Sequence, residues 1–156
     1  MTKPAQMTGR ILQFVAPSLW LGLILGISLI EAPLKFQAPG ITIPLGLGIG
    51  RLVFGAMNIA EAVIAVVLIA ALWRSGRSKL QQWLACGVVV VLAIKALVVR
   101  PIMQATTDAV IAGTSSGGSS LHLFYIAADG ILIVLLIWFL VATAKRLQLT
   151  PRTEAT

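Results

Sequence analysis

Four long apolar stretches constrain the fold of this chain more than any other feature. They lie at about residues 11–30, 52–73, 80–99 and 121–143. Each is close to the ~20 residues that an α-helix needs to cross a hydrocarbon layer of ~30 Å. Because lipid offers the backbone no hydrogen bonds, each stretch is predicted to be helical. The sequence therefore predicts an all-α fold, a four-helix transmembrane bundle in which residues 1–156 form a single integral membrane domain, with loose tails at 1–9 and 147–156.

The composition indicates that lipid, rather than water, is the main solvent of the chain. Of its 156 residues, 58% are hydrophobic and only 11% are charged, whereas soluble domains carry roughly 25% charged residues. So few charges cannot cover the surface of a water-soluble domain of this size. The aromatic residues are few and lie in the apolar stretches, so they form no stacking platform for bases. The predicted partner is the lipid bilayer, and no nucleic-acid partner is predicted.

The distribution of Lys and Arg predicts the orientation, because cytoplasmic loops are enriched in these residues. Eight of them lie in the two tails and in the link RSGRSK between the second and third stretches, against one acid, Glu154. The opposite half holds equal numbers of basic and acidic residues, so the whole formal net charge of +7 lies on one side. Both termini are therefore predicted to be cytoplasmic.

Two longer links are predicted on the outer side of the membrane. The first, at about 31–50, contains Pro33, Pro39 and Pro44, and proline is expected to break the helices there. The second, at about 100–120, contains the low-complexity piece AGTSSGGSS and is predicted to form a loop.

Ionisable side chains inside the apolar stretches are the main candidates for a functional role. Each costs ~2.5–3.5 kcal/mol at the centre of a bilayer on insertion scales. Glu61 is the deepest, near the middle of the second stretch. Arg51 and Asn58 lie on the same face of that helix, because residues spaced by seven, and then by three, are neighbours along one side. These three residues form a polar ridge.

The fourth stretch carries a matching ridge of His122, Tyr125 and Asp129, spaced by three and four residues. Lys95 of the third stretch lies at a comparable depth. Facing lipid would leave these groups unpaired at high cost. The two ridges are therefore predicted to face each other inside the bundle.

One interpretation of the ridges is functional. They would line a polar pocket or proton path that opens to the outer side. Glu61 and Asp129 would be protonatable or cation-binding groups, and Lys95 and Arg51 would be their counter-ions. The chain would then be a small multi-pass membrane protein that handles a small ion or solute.

The second interpretation is structural. Lys95 would pair with Asp129, and Arg51 would pair with Glu31 or Asp108, so that the pairs only fix the register of the helices. The carboxyl in the middle of the second stretch would be protonated and neutral. The chain would then be a structural or accessory subunit of a larger membrane complex.

A third alternative, a membrane redox protein or enzyme, depends on His122, the single histidine. Haem and copper sites normally need two or more strong ligands, so no metal or other cofactor is predicted. Cys86, the single cysteine, is interpreted as a small packing residue. The Ser and Thr residues form no nucleophile arrangement with a base, so no catalytic residue is predicted.

Gly22 and Gly26 form a GxxxG pattern in the first stretch. Small residues at this spacing let a second helix approach closely. Tight packing inside the monomer and a homodimer face both remain open.

Three motifs of the chain resemble a known family: APLKF (Ala32–Phe36), IGRLVFGAMNIAE (Ile49–Glu61) and LHLFYIAADG (Leu121–Gly130). They resemble small bacterial membrane proteins of unknown function related to transmembrane protein 205 of animals. The resemblance covers most of the chain. It implies a four-span architecture in the bacterial inner (cytoplasmic) membrane, and it implies neither an activity nor a role for any residue.

Overall fold

The computed structural model describes residues 3–115 and 121–148, and all regular structure in these ranges is helical. The long helices are α1 (residues 3–37), α2 (Ile43–Ser75), α3 (Lys79–Ile111) and α4 (Leu121–Gln148). All four are long and apolar enough to cross a membrane. The predictions of an all-α fold and of four helices of membrane-spanning length are therefore confirmed.

Local sequence signals set the short link between α2 and α3. Gly76 follows α2 with a φ of +74°, a left-handed conformation that costs glycine little. Ser78 caps α3: its Oγ accepts from the backbone N–H of Gln81, and its own N–H donates to Oε1 of Gln81. This capping box limits the link to residues 76–78, so α2 and α3 are antiparallel neighbours. We call the end of the helices that holds this link the basic end.

Helices α1 and α3 each contain a π-helical segment with a proline just after it. The segment is Leu25–Glu31 in α1, before Pro33, and Lys95–Val99 in α3, before Pro101. Proline lacks an N–H and clashes with the carbonyl of the preceding turn. The wider π turn moves that carbonyl away from the ring, so both helices continue past their prolines. The prediction that Pro33 ends the first helix is wrong.

Consequently α1 is longer than predicted, and the first link is shorter. Residues 3–9 are the first turns of α1 rather than a loose tail. The link comprises residues 38–42 rather than 31–50, because α2 already begins at Ile43 with Pro44 in its first turn. Proline is favoured at that position, where its missing N–H would have no partner in the helix.

The second link is also shorter than predicted. Residues 100–111 are helical and extend α3, whereas the sequence placed them in a loop. Residues 116–120, from the low-complexity piece, lie outside the described residues. In the predicted C-terminal tail, residues 147–148 are the last of α4, and residues 149–156 lie outside the described residues.

Each helix packs against two neighbours: α1 and α3 both contact α2 and α4, and the contact between α1 and α2 is the most extensive. Large apolar side chains fill the interior, among them Trp20, Phe54, Leu132 and Phe139. Many others are exposed on the outer faces of the helices. Exposing them to water would cost roughly 25 cal/mol per Å², a cost that a surrounding bilayer removes.

Candidate functional site

Three ionisable side chains from three helices meet in the interior, and we call them the charge triad. Glu61 comes from α2, Lys95 from α3 and Asp129 from α4, and their exposed fractions are 0%, 0% and 2%. With a rise of 1.5 Å per residue, Glu61 lies about 27 Å along α2 from Ile43 and about 21 Å from Ser75. Lys95 is likewise near the middle of α3, whereas Asp129 lies about 12 Å from the start of α4.

Lys95 is shared by the two carboxylates of the triad. Its Nζ lies 2.6 Å from Oδ1 of Asp129 and 2.8 Å from each carboxylate oxygen of Glu61, to which it donates at Oε1. The pair of Lys95 and Asp129 that the structural interpretation expected is present. Glu61, which that interpretation left without a counter-ion, is joined to the same ammonium group.

Two residues of α1 that the sequence did not single out complete the site. The indole Nε1 of Trp20 donates to Oε1 of Glu61 at 3.0 Å. The hydroxyl of Ser28 donates to Oδ2 of Asp129 at 2.6 Å. Trp20 lies in the middle of its stretch with no Lys or Arg nearby, and a buried indole N–H usually has a hydrogen-bond acceptor. The central position of Trp20 in an apolar stretch could therefore have indicated a buried hydrogen bond. A single Ser in an apolar stretch gives no comparable indication.

The two predicted ridges meet at Asn58 and Tyr125. The Tyr125 hydroxyl donates to Oδ1 of Asn58 at 3.2 Å. The Tyr125 ring also lies under the ammonium of Lys95, with Nζ 4.8 Å from the ring centroid, and it contacts Phe54 edge-to-face at 5.2 Å. The ammonium of Lys95 therefore contacts an aromatic face as well as two carboxylates.

The triad is not electrically balanced. With every group ionised, two carboxylates and one ammonium carry a net charge of −1, and a buried net charge is strongly unfavourable. Both carboxylate oxygens of Glu61 face the single ammonium of Lys95, and among the described residues Nδ2 of Asn58 is buried without a hydrogen-bond partner, although such groups are normally paired. The site can therefore accept one further positive charge, either a proton or a small cation.

A cavity of about 630 Å³ lies at the end of the helices opposite the basic end. It is enclosed by the last turns of α1, the first turns of α2 and the second half of α3, with Ile126 of α4. Ser28 both lines this cavity and donates to Asp129. Ser28 therefore connects the lining of the cavity to the charge triad.

Arg51 lines the cavity and does not join the triad. Its Nη1 lies 2.6 Å from Oδ1 of Asp108, and both side chains are about half exposed. Asp108 was one of its two expected partners. The other, Glu31, pairs instead with Lys35 at 3.3 Å. Thus Glu61, at one end of the α2 ridge, belongs to the triad, whereas Arg51, at the other end, lies at the cavity.

A second polar network joins all four helices at the basic end. Gln81 donates through Nε2 to Oε1 of Gln13 at 3.0 Å and to Oγ1 of Thr143 at 2.9 Å. Gln13 donates to Oγ of Ser75 at 2.6 Å, and Arg146 donates to Oε1 of Gln81 at 2.9 Å. The helices are therefore connected by hydrogen bonds at the basic end, whereas the opposite end holds the cavity.

Gly22 and Gly26 do not mediate packing between helices of this chain. A Cβ added at either position would meet nothing within 4 Å among the described residues. The alternative of tight packing inside the monomer is therefore wrong for both glycines, because they point away from α2 and α4. The homodimer face stays a prediction.

The redox alternative rests on the sequence alone, because the side chain of His122 lies outside the described residues. In the described part of the chain, no group of three or more His, Cys, Asp and Glu residues is arranged to hold a metal ion. Cys86 was interpreted as a packing residue, but it is exposed on the surface of α3.

No protein-family model, curated protein or solved structure matches this chain. The resemblance to the small bacterial proteins related to transmembrane protein 205 therefore stays a prediction. Any function must be argued from the side chains and the cavity described above.

Proposed function

We propose that this chain is a four-helix transmembrane bundle of the bacterial inner membrane, with both termini in the cytoplasm, and that it handles a small ion or solute through the charge triad. The triad takes up one proton or one small cation from the outer side. The proton or cation reaches the triad at Ser28, whose hydroxyl contacts Asp129.

The charge distribution supports this orientation. The start of α1, the link at 76–78 and the end of α4 lie together at the basic end, where Gln13, Gln81 and Arg146 are connected. Eight of the twelve Lys and Arg residues belong to these segments and their tails. Cytoplasmic segments are enriched in Lys and Arg, so the basic end faces the cytoplasm and the cavity faces outward.

One observation carries the functional proposal: two buried carboxylates share one ammonium. If the site only cross-linked helices, equal numbers of positive and negative groups would stabilise it best, because an unbalanced buried charge destabilises the fold. The excess carboxylate of the triad, in which Glu61 and Asp129 share the ammonium of Lys95, is instead suited to binding a cation. Ionisable groups inside membrane spans commonly mark ion and proton pathways.

A structural or accessory role is the second candidate, and a specific observation favours it. The triad connects α2, α3 and α4, and Trp20 adds α1 through its hydrogen bond to Glu61. The same contacts that could bind a cation therefore also fix the relative positions of all four helices. In this role the bundle would present its apolar outer faces to a larger membrane complex.

Cation flux through the purified full chain in proteoliposomes tests the proposal. We expect the chain to dissipate an imposed pH or Na⁺ gradient faster than protein-free vesicles do. Glu61→Gln should abolish the flux while the protein still accumulates and reconstitutes normally. Glu31→Gln is the matched control, because it removes a carboxylate that pairs with Lys35 and lies outside the triad.

Infrared difference spectra between acidic and alkaline pH give an independent measurement of proton uptake. A carboxyl band that titrates in the wild-type protein should disappear in Glu61→Gln or Asp129→Asn. Equal gradient dissipation by the wild type and Glu61→Gln would contradict the proposal. Wild-type protein with neither flux nor a titrating band would also contradict it, in favour of the structural role.

A further inference from the structure

The outer cavity has a chemical character of its own. Three cationic side chains line it, Lys35, Arg51 and Arg100, and none of its lining residues is acidic. The rest of the lining is mostly apolar, with Phe54 and Ile126 among the side chains. The cavity therefore combines positive charge with a hydrocarbon-like wall.

Glycines of α2 create the space for two of these cations. A Cβ at Gly50 would lie 2.9 Å from Nζ of Lys35, and a Cβ at Gly55 would lie 2.7 Å from Nη2 of Arg100. Real Cβ contacts are almost never that short, so any larger residue would displace the cationic groups. The glycine-rich start of α2 thus lets both side chains lie directly against its backbone.

The three cations differ in how far they are neutralised. Lys35 pairs with Glu31 at 3.3 Å, and Arg51 pairs with Asp108 at 2.6 Å. No carboxylate of the described residues lies within ion-pair distance of Arg100. Among the three cations that line the cavity, Arg100 is therefore the one without a carboxylate of its own in the described part of the chain, and its side chain is partly buried.

We propose that this cavity binds an amphiphilic anion whose carboxylate or phosphate head contacts Arg100 and whose hydrocarbon body lies along the apolar wall. A guanidinium binds such oxyanions through paired hydrogen bonds. A volume of about 630 Å³ is in the usual range of small-molecule sites. This site goes beyond the proposed cation chemistry, and it stands even if the charge triad is purely structural.

The first experiment measures binding of a fluorescent long-chain fatty acid to the purified full chain in a neutral detergent. We expect saturable binding with one site per chain. Lysophosphatidic acid of equal chain length should compete, whereas the zwitterionic lysophosphatidylcholine should not. A preference for the fatty acid identifies a carboxylate ligand, and a preference for lysophosphatidic acid identifies a phosphate ligand.

Variants of the cavity test the location of the site. Arg100→Gln should weaken binding about ten-fold or more, as expected for the loss of charge-assisted hydrogen bonds. Thr107→Trp, which fills the cavity without changing its charge, should also abolish binding. Arg74→Gln is the matched control, because it removes an exposed arginine at the basic end of α2. If Arg100→Gln does not fold, Thr107→Trp still decides the result.

Three results would overturn the inference. These are unchanged affinity in folded Arg100→Gln and Thr107→Trp, equal competition by lysophosphatidylcholine, and full competition by inorganic phosphate alone. Binding should persist in Glu61→Gln. Loss of cation flux in that variant, with the anion still bound, would show that the function of the triad and anion binding in the cavity are independent.

Discussion

The hydroxyl of Ser28 donates to Oδ2 of Asp129 at 2.6 Å, and this contact joins a lining residue of the cavity to the buried charges. Ser28 lies in the π-helical segment of α1 and lines the cavity. Asp129 in turn contacts Lys95 at 2.6 Å. Ser28 is therefore both a lining residue of the cavity and a direct neighbour of the triad.

This position makes the accessibility of Ser28 a direct test of orientation and entry. In a Cys86→Ser background, Ser28→Cys should react with a membrane-impermeant thiol reagent added to the outside of intact cells. Gln6→Cys, at an exposed position near the start of α1 at the basic end, should react only after the membrane is opened, because the proposal places it on the cytoplasmic side. The opposite pattern would reverse the proposed topology.

Variants of Lys95 should be the most destabilising in the triad. Removing the ammonium leaves two buried carboxylates without a counter-ion, so Lys95→Ala should lower the free energy of unfolding by about 3–5 kcal/mol. Asp129→Ala should cost less, because Glu61 still pairs with Lys95. The double variant should recover part of the loss, since the two effects are coupled.

Thermal unfolding in detergent, followed by circular dichroism, measures these differences. Cation flux of the same variants then separates the two candidate functions. Strictly additive effects of Lys95→Ala and Asp129→Ala on stability would contradict the shared contact between them.

The indole N–H of Trp20 should contribute to stability independently of its ring. Trp20→Phe keeps an aromatic ring but leaves Oε1 of Glu61 with one donor fewer, so the expected cost is about 1–2 kcal/mol. Trp73→Phe, at an exposed position, is the matched control and should change stability little. Equal effects of the two substitutions would show that the hydrogen bond contributes nothing.

The network at the basic end should depend on Gln81. Gln81→Leu leaves Gln13 and Thr143 without a buried donor, and it removes an acceptor for Arg146. We expect a loss of about 2–3 kcal/mol, as for several buried groups left unpaired. The same substitution at the neighbouring exposed Gln82 should be nearly neutral. Denaturant unfolding of both variants would give the comparison.

Much of the fold could be predicted because hydropathy measures the preference of a side chain for lipid over water. The four apolar stretches locate the four helices, although helix ends do not follow hydropathy. Pro33 was expected to break the first helix, and residues 100–120 were predicted to form a loop, but the π-helical segments before Pro33 and Pro101 allow both helices to continue. A π turn leaves no clear signal in a single sequence, so the lengths of α1 and α3 were underestimated.

The candidate site was also only partly predictable from the sequence. Glu61, Lys95 and Asp129 stand out because ionisable groups are costly in lipid, and that cost requires them to meet. The same reasoning included Arg51, which lies near the end of its apolar stretch and pairs with Asp108 at the cavity. It could not find Ser28, because a hydroxyl is tolerated in many helix environments.

The π-helical segment Leu25–Glu31 also sets the direction in which the end of α1 faces. A π turn holds more residues than an α turn, and each additional residue rotates the remainder of the helix by roughly 100°. Lys35 therefore reaches the cavity because of a local widening of the helix several residues earlier. Deletion of one residue between 25 and 31 should rotate Lys35 and Phe36 towards lipid. Trp20, which precedes the segment, should keep its position beside Glu61.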